Sequence, residues 1–225
     1  ALSTGEVTTL YDESACTKST RTAGATQILG DSSCIAYYKL DGTADDETGN
    51  HDGTFTTPDY ANGEFLYAGV FNGTTSYVDT GISSSLNSSF SVSMWVKPRA
   101  SQTYSAIFGS GTDSANIFAI DVRNLELGYN IDGNLPSVTK PLLSTSSFSH
   151  VCFTFDDNTI KIYVNGVEEL SEAVGSINFS RDFAFGARNW SSSISGFFNG
   201  LIDQVRIFNR VVNQSEVTTL YNEGI

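Results

Sequence analysis

The chain has 225 residues, with 12 Lys+Arg against 25 Asp+Glu, a formal net charge of −13 and only 16% charged residues. Thirty Ser and 23 Thr carry the polarity instead, and 40% hydrophobic residues with 15 Phe and 10 Tyr supply a sizeable core, so the composition excludes a disordered chain. The acidity excludes the basic patch that a nucleic acid or an anionic membrane demands, and no apolar run approaches the ~18 residues that span a bilayer.

Residues 1–15, ALSTGEVTTLYDESA, echo residues 211–225, VVNQSEVTTLYNEGI, at an offset of 210: a Glu, the unbroken Val-Thr-Thr-Leu-Tyr and a later Glu recur. The echo predicts that each copy closes a domain of about 210 residues. On that reading 1–15 is the tail of a preceding repeat, and the chain is one period of a tandem array or a processed product of a longer polyprotein. Cys16 and Cys34 flank a Thr/Gly/Ala-rich stretch. Pairing them would close a loop of about 18 residues, stabilise by roughly 3 kcal/mol and imply an oxidising setting. Residues 1–33 are therefore expected to be that tail plus a disulfide-closed connector. Cys152, inside the strand-like run His150–Phe155, reads as a small buried hydrophobe. Five N-x-[ST] sequons, at Asn72, Asn87, Asn178, Asn189 and Asn213, point with the disulfide to an extracellular or surface-displayed chain.

From residue 34 onward the periodicity is β. Phe90, Val92, Met94 and Val96 alternate with Ser91, Ser93, Trp95 and Lys97, a half-buried strand. Short strands fit 104–109, 116–122 and 124–130. Val151, Phe153 and Phe155 share a face, as do Ile160, Ile162 and Val164, and Asn165-Gly166 then gives a hairpin signal. Further strands fit 183–187 and 201–208. Only 213–223 looks helical, capped by Asn213 or Ser215, with Val217, Leu220 and Tyr221 on one side. Many short strands without intervening helices predict an all-β, two-sheet antiparallel β-sandwich or jelly roll over 34–225, with one short C-terminal helix.

Several stretches carry a family resemblance: Ala36–Asp41 followed by Asp46–Thr54; Val70-Phe71-Asn72-Gly73; Phe90–Pro98; Ser149-His150-Val151 through Tyr163–Val167; and Phe198–Arg210. In this order and spacing they resemble the laminin-G-like jelly rolls of the concanavalin A-like lectin/glucanase superfamily. The resemblance implies two curved sheets face to face, terminal strands paired with each other, and commonly one structural calcium near them.

The densest chemistry is acidic. Asp41, Asp45, Asp46, Glu47, Asn50 and Asp52 crowd one loop, and Asp203 falls in phase with Leu201, Val205 and Ile207, which predicts an inward carboxylate. Such a group is costly unless paired or metal-bound, and this set of hard oxygens suits Ca²⁺. The resemblance maps the ligands onto Asp46, Asn50 and Asp203, with the His51 carbonyl. The alternative is that Asp203 caps backbone N–H groups or pairs with Arg206 or Arg210. Gln204 stands where many relatives carry Glu.

Catalysis is not expected. The paired carboxylates of the superfamily's glucanases, a Gly-x-Ser-x-Gly elbow, a Cys–His signature and a phosphate loop are all missing from the sequence. For ligand binding, the loop around Trp190, with Arg188 beside it, offers an aromatic platform, joined by Tyr129 and Asn130 (and Tyr104) if those strands share its sheet. The expected protein is thus a non-catalytic, tandem-repeat adhesion or scaffold protein of lectin-like domains, part of a surface filament, fibre or viral appendage. Its partners would be neighbouring copies and a glycan or glycoprotein. The alternatives are a lectin module and, more remotely, an accessory domain of a glycoside hydrolase.

Overall fold

A computed structural model describes residues 27–82, 86, 89–111, 117–131, 142–156, 158–175, 181–189 and 194–224. Among these, the strands in chain order are β1 (Cys34–Tyr38), β2 (Thr54–Thr56), β3 (Tyr60–Asn62), β4 (Tyr67–Asn72), β5 (Tyr77–Asp79), β6 (Ser89–Pro98), β7 (Ser105–Gly111) and β8 (Ile117–Arg123). They continue with β9 (Glu126–Ile131), β10 (Ser149–Asp156), β11 (Thr159–Val164), β12 (Val167–Ala173), β13 (Ala184–Phe185), β14 (Arg188–Asn189), β15 (Ile194–Ser195) and β16 (Asn199–Phe208). Helix α1 (Gln214–Tyr221) and a 3₁₀ turn (Asn222–Gly224) follow. Sheet A has the order β12-β11-β10-β6-β16-β4-β3, with β1 also on β16; sheet B has the order β15-β14-β7-β13-β5-β2, with β8 on β7 and β9 on β8. The expected two-sheet sandwich with one short helix is the fold.

The alternation in β6 does what period 2 requires. Phe90, Val92, Met94 and Val96 enter the core between the sheets, while Ser91, Ser93 and Trp95 face outward and are buried beneath the C-terminal segment. The core is dominated by phenylalanines: Phe90, Phe108, Phe118, Phe153, Phe155 and Phe183 are in ring contact at centroid separations of 5.0–6.5 Å. Tilted and edge-on contacts of this kind add to the simple gain from burying large rings. Asn165 and Gly166, both at positive φ, make the tight turn from β11 to β12.

The N-cap of α1 is Asn213. Its side chain accepts from the Ser215 and Glu216 amides while Glu216 reaches back to the Asn213 amide, a reciprocal capping box. Val217 and Leu220 bury against Tyr37, Cys152, Tyr163, Phe208 and Val212 on the outer face of sheet A. Arg210 holds the helix from below, with Glu216 at 2.7 Å and Asp31 at 2.6 Å. Cys152 is a fully buried free thiol, as its run suggested. Cys34 is a buried free thiol that donates to the Ala36 carbonyl, and burial pushes its pKa up to about 12. Its expected partner Cys16 lies outside the described residues, as does the first copy of the echo.

Asp203 is inside the protein, but on the other face from the one its periodicity predicted. Gln204 has φ +52, and the register of β16 against β6 shifts between Asp203 and Arg206. Asp203 pairs with the outward Trp95, whereas Val205 and Ile207 face the core. The bulge inserts one residue and reverses the phase beyond it.

Candidate functional site

Asp46 is the keystone of its loop. One oxygen accepts from the Tyr37 amide at 2.7 Å and the Thr48 amide at 2.9 Å. The other accepts from the Thr48 hydroxyl and from the Asn50 and His51 amides at 3.1 and 3.0 Å. Burial raises its pKa, but these donors outweigh burial and hold the carboxyl below the ordinary value. The His51 carbonyl accepts from the Tyr38 hydroxyl at 2.7 Å, and the Asn50 side chain turns back onto Thr48. The expected calcium ligands of this loop are therefore engaged in folding it.

Asp203 lies elsewhere. Tyr38 pairs with Val205 on one side of β1 and with Asp46 on the other, so a strand separates the Asp46 loop from β16. The structure does not bring Asp46, Asn50 and His51 together with Asp203. The Asp203 carboxylate sits under the turn between β3 and β4. It accepts from the Phe65 amide at 3.0 Å through one oxygen, and the other is buried with no hydrogen-bond partner. A Cβ on Gly63 would stand 2.5 Å from the first oxygen, which is why the turn closes over this carboxylate only with glycine there. Burial, then the charge of Asp41, pushes the Asp203 pKa up to about 7. The arginines considered as its partners are used otherwise: Arg206 pairs with Glu223 at 2.7 Å and Arg210 with Glu216 and Asp31. An orphaned buried oxygen beside a second carboxylate fits a hard cation, so the residues that fit calcium are Asp203 and Asp41. Among the described residues, no cluster of three or more acidic, His or Cys side chains gathers.

The residues expected to meet a glycan divide between two faces of sheet B. In β8 and β9, Phe118, Ile120, Val122, Leu127, Tyr129 and Ile131 belong to the core, and Ala119, Asp121, Arg123 and Asn130 lie on the outer face. Tyr129 is only 1% exposed and its hydroxyl donates to Glu172 at 2.7 Å, which corrects the expectation of an exposed platform there. Asn130 and Arg188 do share the outer face. Arg188 lies over Gly109 and reaches Asp121 at 3.7 Å, with Arg123 at 3.4 Å from the same carboxylate. Burial raises the Asp121 pKa against the pull of these two guanidiniums. Trp190 lies outside the described residues.

This row of charges leads to Tyr104, 49% exposed, whose ring carries the Arg123 guanidinium at 4.9 Å from its centroid. Tyr104 is on the rim of an open groove of about 400 Å³, lined also by Asn72, Gln102, Thr103, Phe197 and Asn199. Gln102 braces this lining: it accepts from the Asn199 amide and the Ser105 hydroxyl and donates to the Asn199 carbonyl. Tyr77 backs Phe197 at 6.4 Å. The groove is assembled from the ends of β4, β7 and β16, so no single stretch of sequence announces it. The in-phase Ala119, Asp121 and Arg123 were the available signal for the charged row beside it.

His150 carries no site chemistry. It is buried against Trp95 and bonded to the Ser93 hydroxyl at 2.8 Å, and burial followed by the Arg206 charge depresses its pKa to about 3. Of the sequons, Asn189 is 8% exposed and donates to the Asp182 carbonyl, so it is closed to a glycan. Asn72 and Asn213 are exposed, each with its carbonyl oxygen capping a turn or helix, while Asn87 and Asn178 lie outside the described residues.

A family model described as the concanavalin A-like lectin/glucanases superfamily matches residues 72–218, well over half of the chain. The chain belongs to this superfamily. Among solved structures similar to this superfamily member is domain 4 of AbnA, a GH43 extracellular arabinanase from Geobacillus stearothermophilus, in complex with arabinotriose. It is 28% identical over 84% of this chain and 98% of that one, with a TM-score of 0.67. NanB sialidase from Streptococcus pneumoniae is 26% identical over 68% of this chain and 27% of that chain, at a TM-score of 0.55. The receptor-binding domain of a botulinum neurotoxin C/D mosaic shares the fold at 16% identity and a TM-score of 0.63, over 84% of this chain and 51% of that one. A comparison with curated proteins gives no match. No helix among the described residues is long and apolar enough to cross a membrane.

Proposed function

We propose that this chain is a non-catalytic, extracellular carbohydrate-binding module whose sugar lies in the groove beside Tyr104. The observation that carries the reading is the half-exposed Tyr104 ring with a guanidinium already on one side, set at the rim of a braced polar groove. A pyranose or furanose presents C–H bonds to an aromatic face and hydroxyls to polar neighbours, and this rim offers both. The arabinotriose bound by the similar arabinanase domain supports an oligosaccharide as ligand. The test is a glycan array followed by calorimetry with arabino-oligosaccharides. Tyr104→Ala is expected to weaken binding at least tenfold without moving the melting temperature, whereas a blank array with a well-folded chain overturns the reading.

A structural calcium is part of the proposal, with Asp203 and Asp41 as its carboxylates. When bound it would neutralise the buried pair and tie β16 to the turn over it. A second reading, a tandem scaffold in which copies contact one another in a fibre or surface filament, is favoured by the echo between 1–15 and 211–225. It fails if the gene holds one copy and the chain remains monomeric at high concentration. The two readings are compatible, since a fibre of sugar-binding beads is both.

A further inference from the structure

The structure gives every residue in the second copy of the echo a task. Val212, Val217 and Leu220 are buried in the outer face of sheet A. Asn213 and Glu216 cap the helix, and Glu216 also holds Arg210. Tyr221 stacks on Trp95 at a centroid separation of 6.0 Å and an interplanar angle of 29°. Glu223 neutralises the buried guanidinium of Arg206 at 2.7 Å.

At an offset of 210 the first copy keeps each of these tasks. Leu2 stands for Val212 and Ser3 for Asn213, both conservative for an apolar plug and a helix cap. Glu6, Val7, Leu10, Tyr11 and Glu13 are identical to Glu216, Val217, Leu220, Tyr221 and Glu223. Ser3-x-x-Glu6 is itself a capping-box pattern. The remaining changes between 212 and 223 fall at Gln214, Ser215 and Asn222, all exposed. One contact is lost among them, from the Gln214 amide to the Gly166 carbonyl. Chance similarity would not confine its differences to the positions that leave the sheet.

We propose that residues 2–13 are a second docking segment for the outer face of sheet A, and that their acceptor is another copy of this sandwich. Within this chain the face is filled by α1, so a segment with the same buried and paired residues needs a second sheet to cover. Ile28 and Leu29, just before β1, pack on the edge of the same cluster, which places the connecting chain beside the face through which copies would be joined. The inference rests on the tandem-copy reading above and adds to it a surface and a binding segment.

The direct test transplants the first copy onto the sandwich. In the full chain, Val212→Leu, Asn213→Ser, Gln214→Thr, Ser215→Gly and Asn222→Asp convert the second copy into the first. The expected melting temperature stays within about 5 °C of the parent, while Leu220→Asp falls well below both. A transplant that melts as early as Leu220→Asp overturns the proposal. In trans, a labelled peptide of residues 1–15 is titrated into the Val217→Asp/Leu220→Asp chain and should bind saturably, and a Val7→Asp/Leu10→Asp peptide should not. Binding by a 211–225 peptide but not by 1–15 also overturns it. A single-copy gene would defeat the tandem reading without changing how the transplant melts, so the two failures are separable.

Discussion

Asp46 and Asp203 are both buried aspartates near β1, yet they are opposite solutions to the same problem. Asp46 collects five donors, four of them amides and hydroxyls of its own Gly-punctuated loop, and is held ionised. Asp203 has one amide on one oxygen, nothing on the other, and a second carboxylate nearby. The difference teaches that a crowd of acidic residues is not by itself a metal site. A carboxylate saturated by backbone donors is a structural cap, whereas an unsatisfied one is where a cation has something to contribute.

The largest effect should come from Asp46→Ala, which strands five donors and is expected to cost about 3–5 kcal/mol in urea denaturation. A loss below 1 kcal/mol would mean that the loop does not depend on this carboxylate. Next, calcium at a hundredfold excess over its Kd should stabilise the parent chain by about 2.7 kcal/mol, with chelator reversing the gain. Asp203→Asn should respond to neither, and Asp46→Asn should still respond. Gly63→Ala forces a methyl against the Asp203 carboxylate and the Tyr67 carbonyl, and about 1–2 kcal/mol of destabilisation is expected. The pH dependence should separate the pair as well. Because the folded protein holds the Asp46 pKa below the ordinary 3.8, its contribution is present above that pH and lost as pH falls below it. Asp46→Asn should therefore flatten the acid limb of the stability profile below pH 4. Asn50→Ala, whose side chain touches only Thr48, should cost under about 0.5 kcal/mol.

The sandwich was legible because alternation writes itself into sequence. Phe90 to Val96 and Val151 to Phe155 each show a period of two, and the structure buries them accordingly. Asn165-Gly166 specified its own turn. By the same rule Tyr129 was readable as core, since it stands in phase with Leu127 and Ile131, and its aromatic ring concealed that. The face of Asp203 was not readable, because one residue at positive φ reverses the phase and Gln204 carries no sign of it. The groove was unreadable for another reason: Asn72, Gln102 and Phe197 meet only through the pairing of distant strands. The role of Asp46 was half visible, in the glycines and acids of its loop, but a count of carboxylates does not reveal which amides point at which oxygen.

The pairing of β1 with β16 has a mechanical consequence. Cys34 lies opposite Phe208 and Tyr38 opposite Val205, so the chain enters and leaves this ladder at the same end. A pull on the chain before Cys34 and after Phe208 loads the rungs in succession, as in opening a zipper, instead of shearing them all at once. Before the ladder opens, the pull must also detach the Arg210 clamp on Asp31. Beads joined in this way would yield one by one under tension, each releasing slack while its phenylalanine core stays packed.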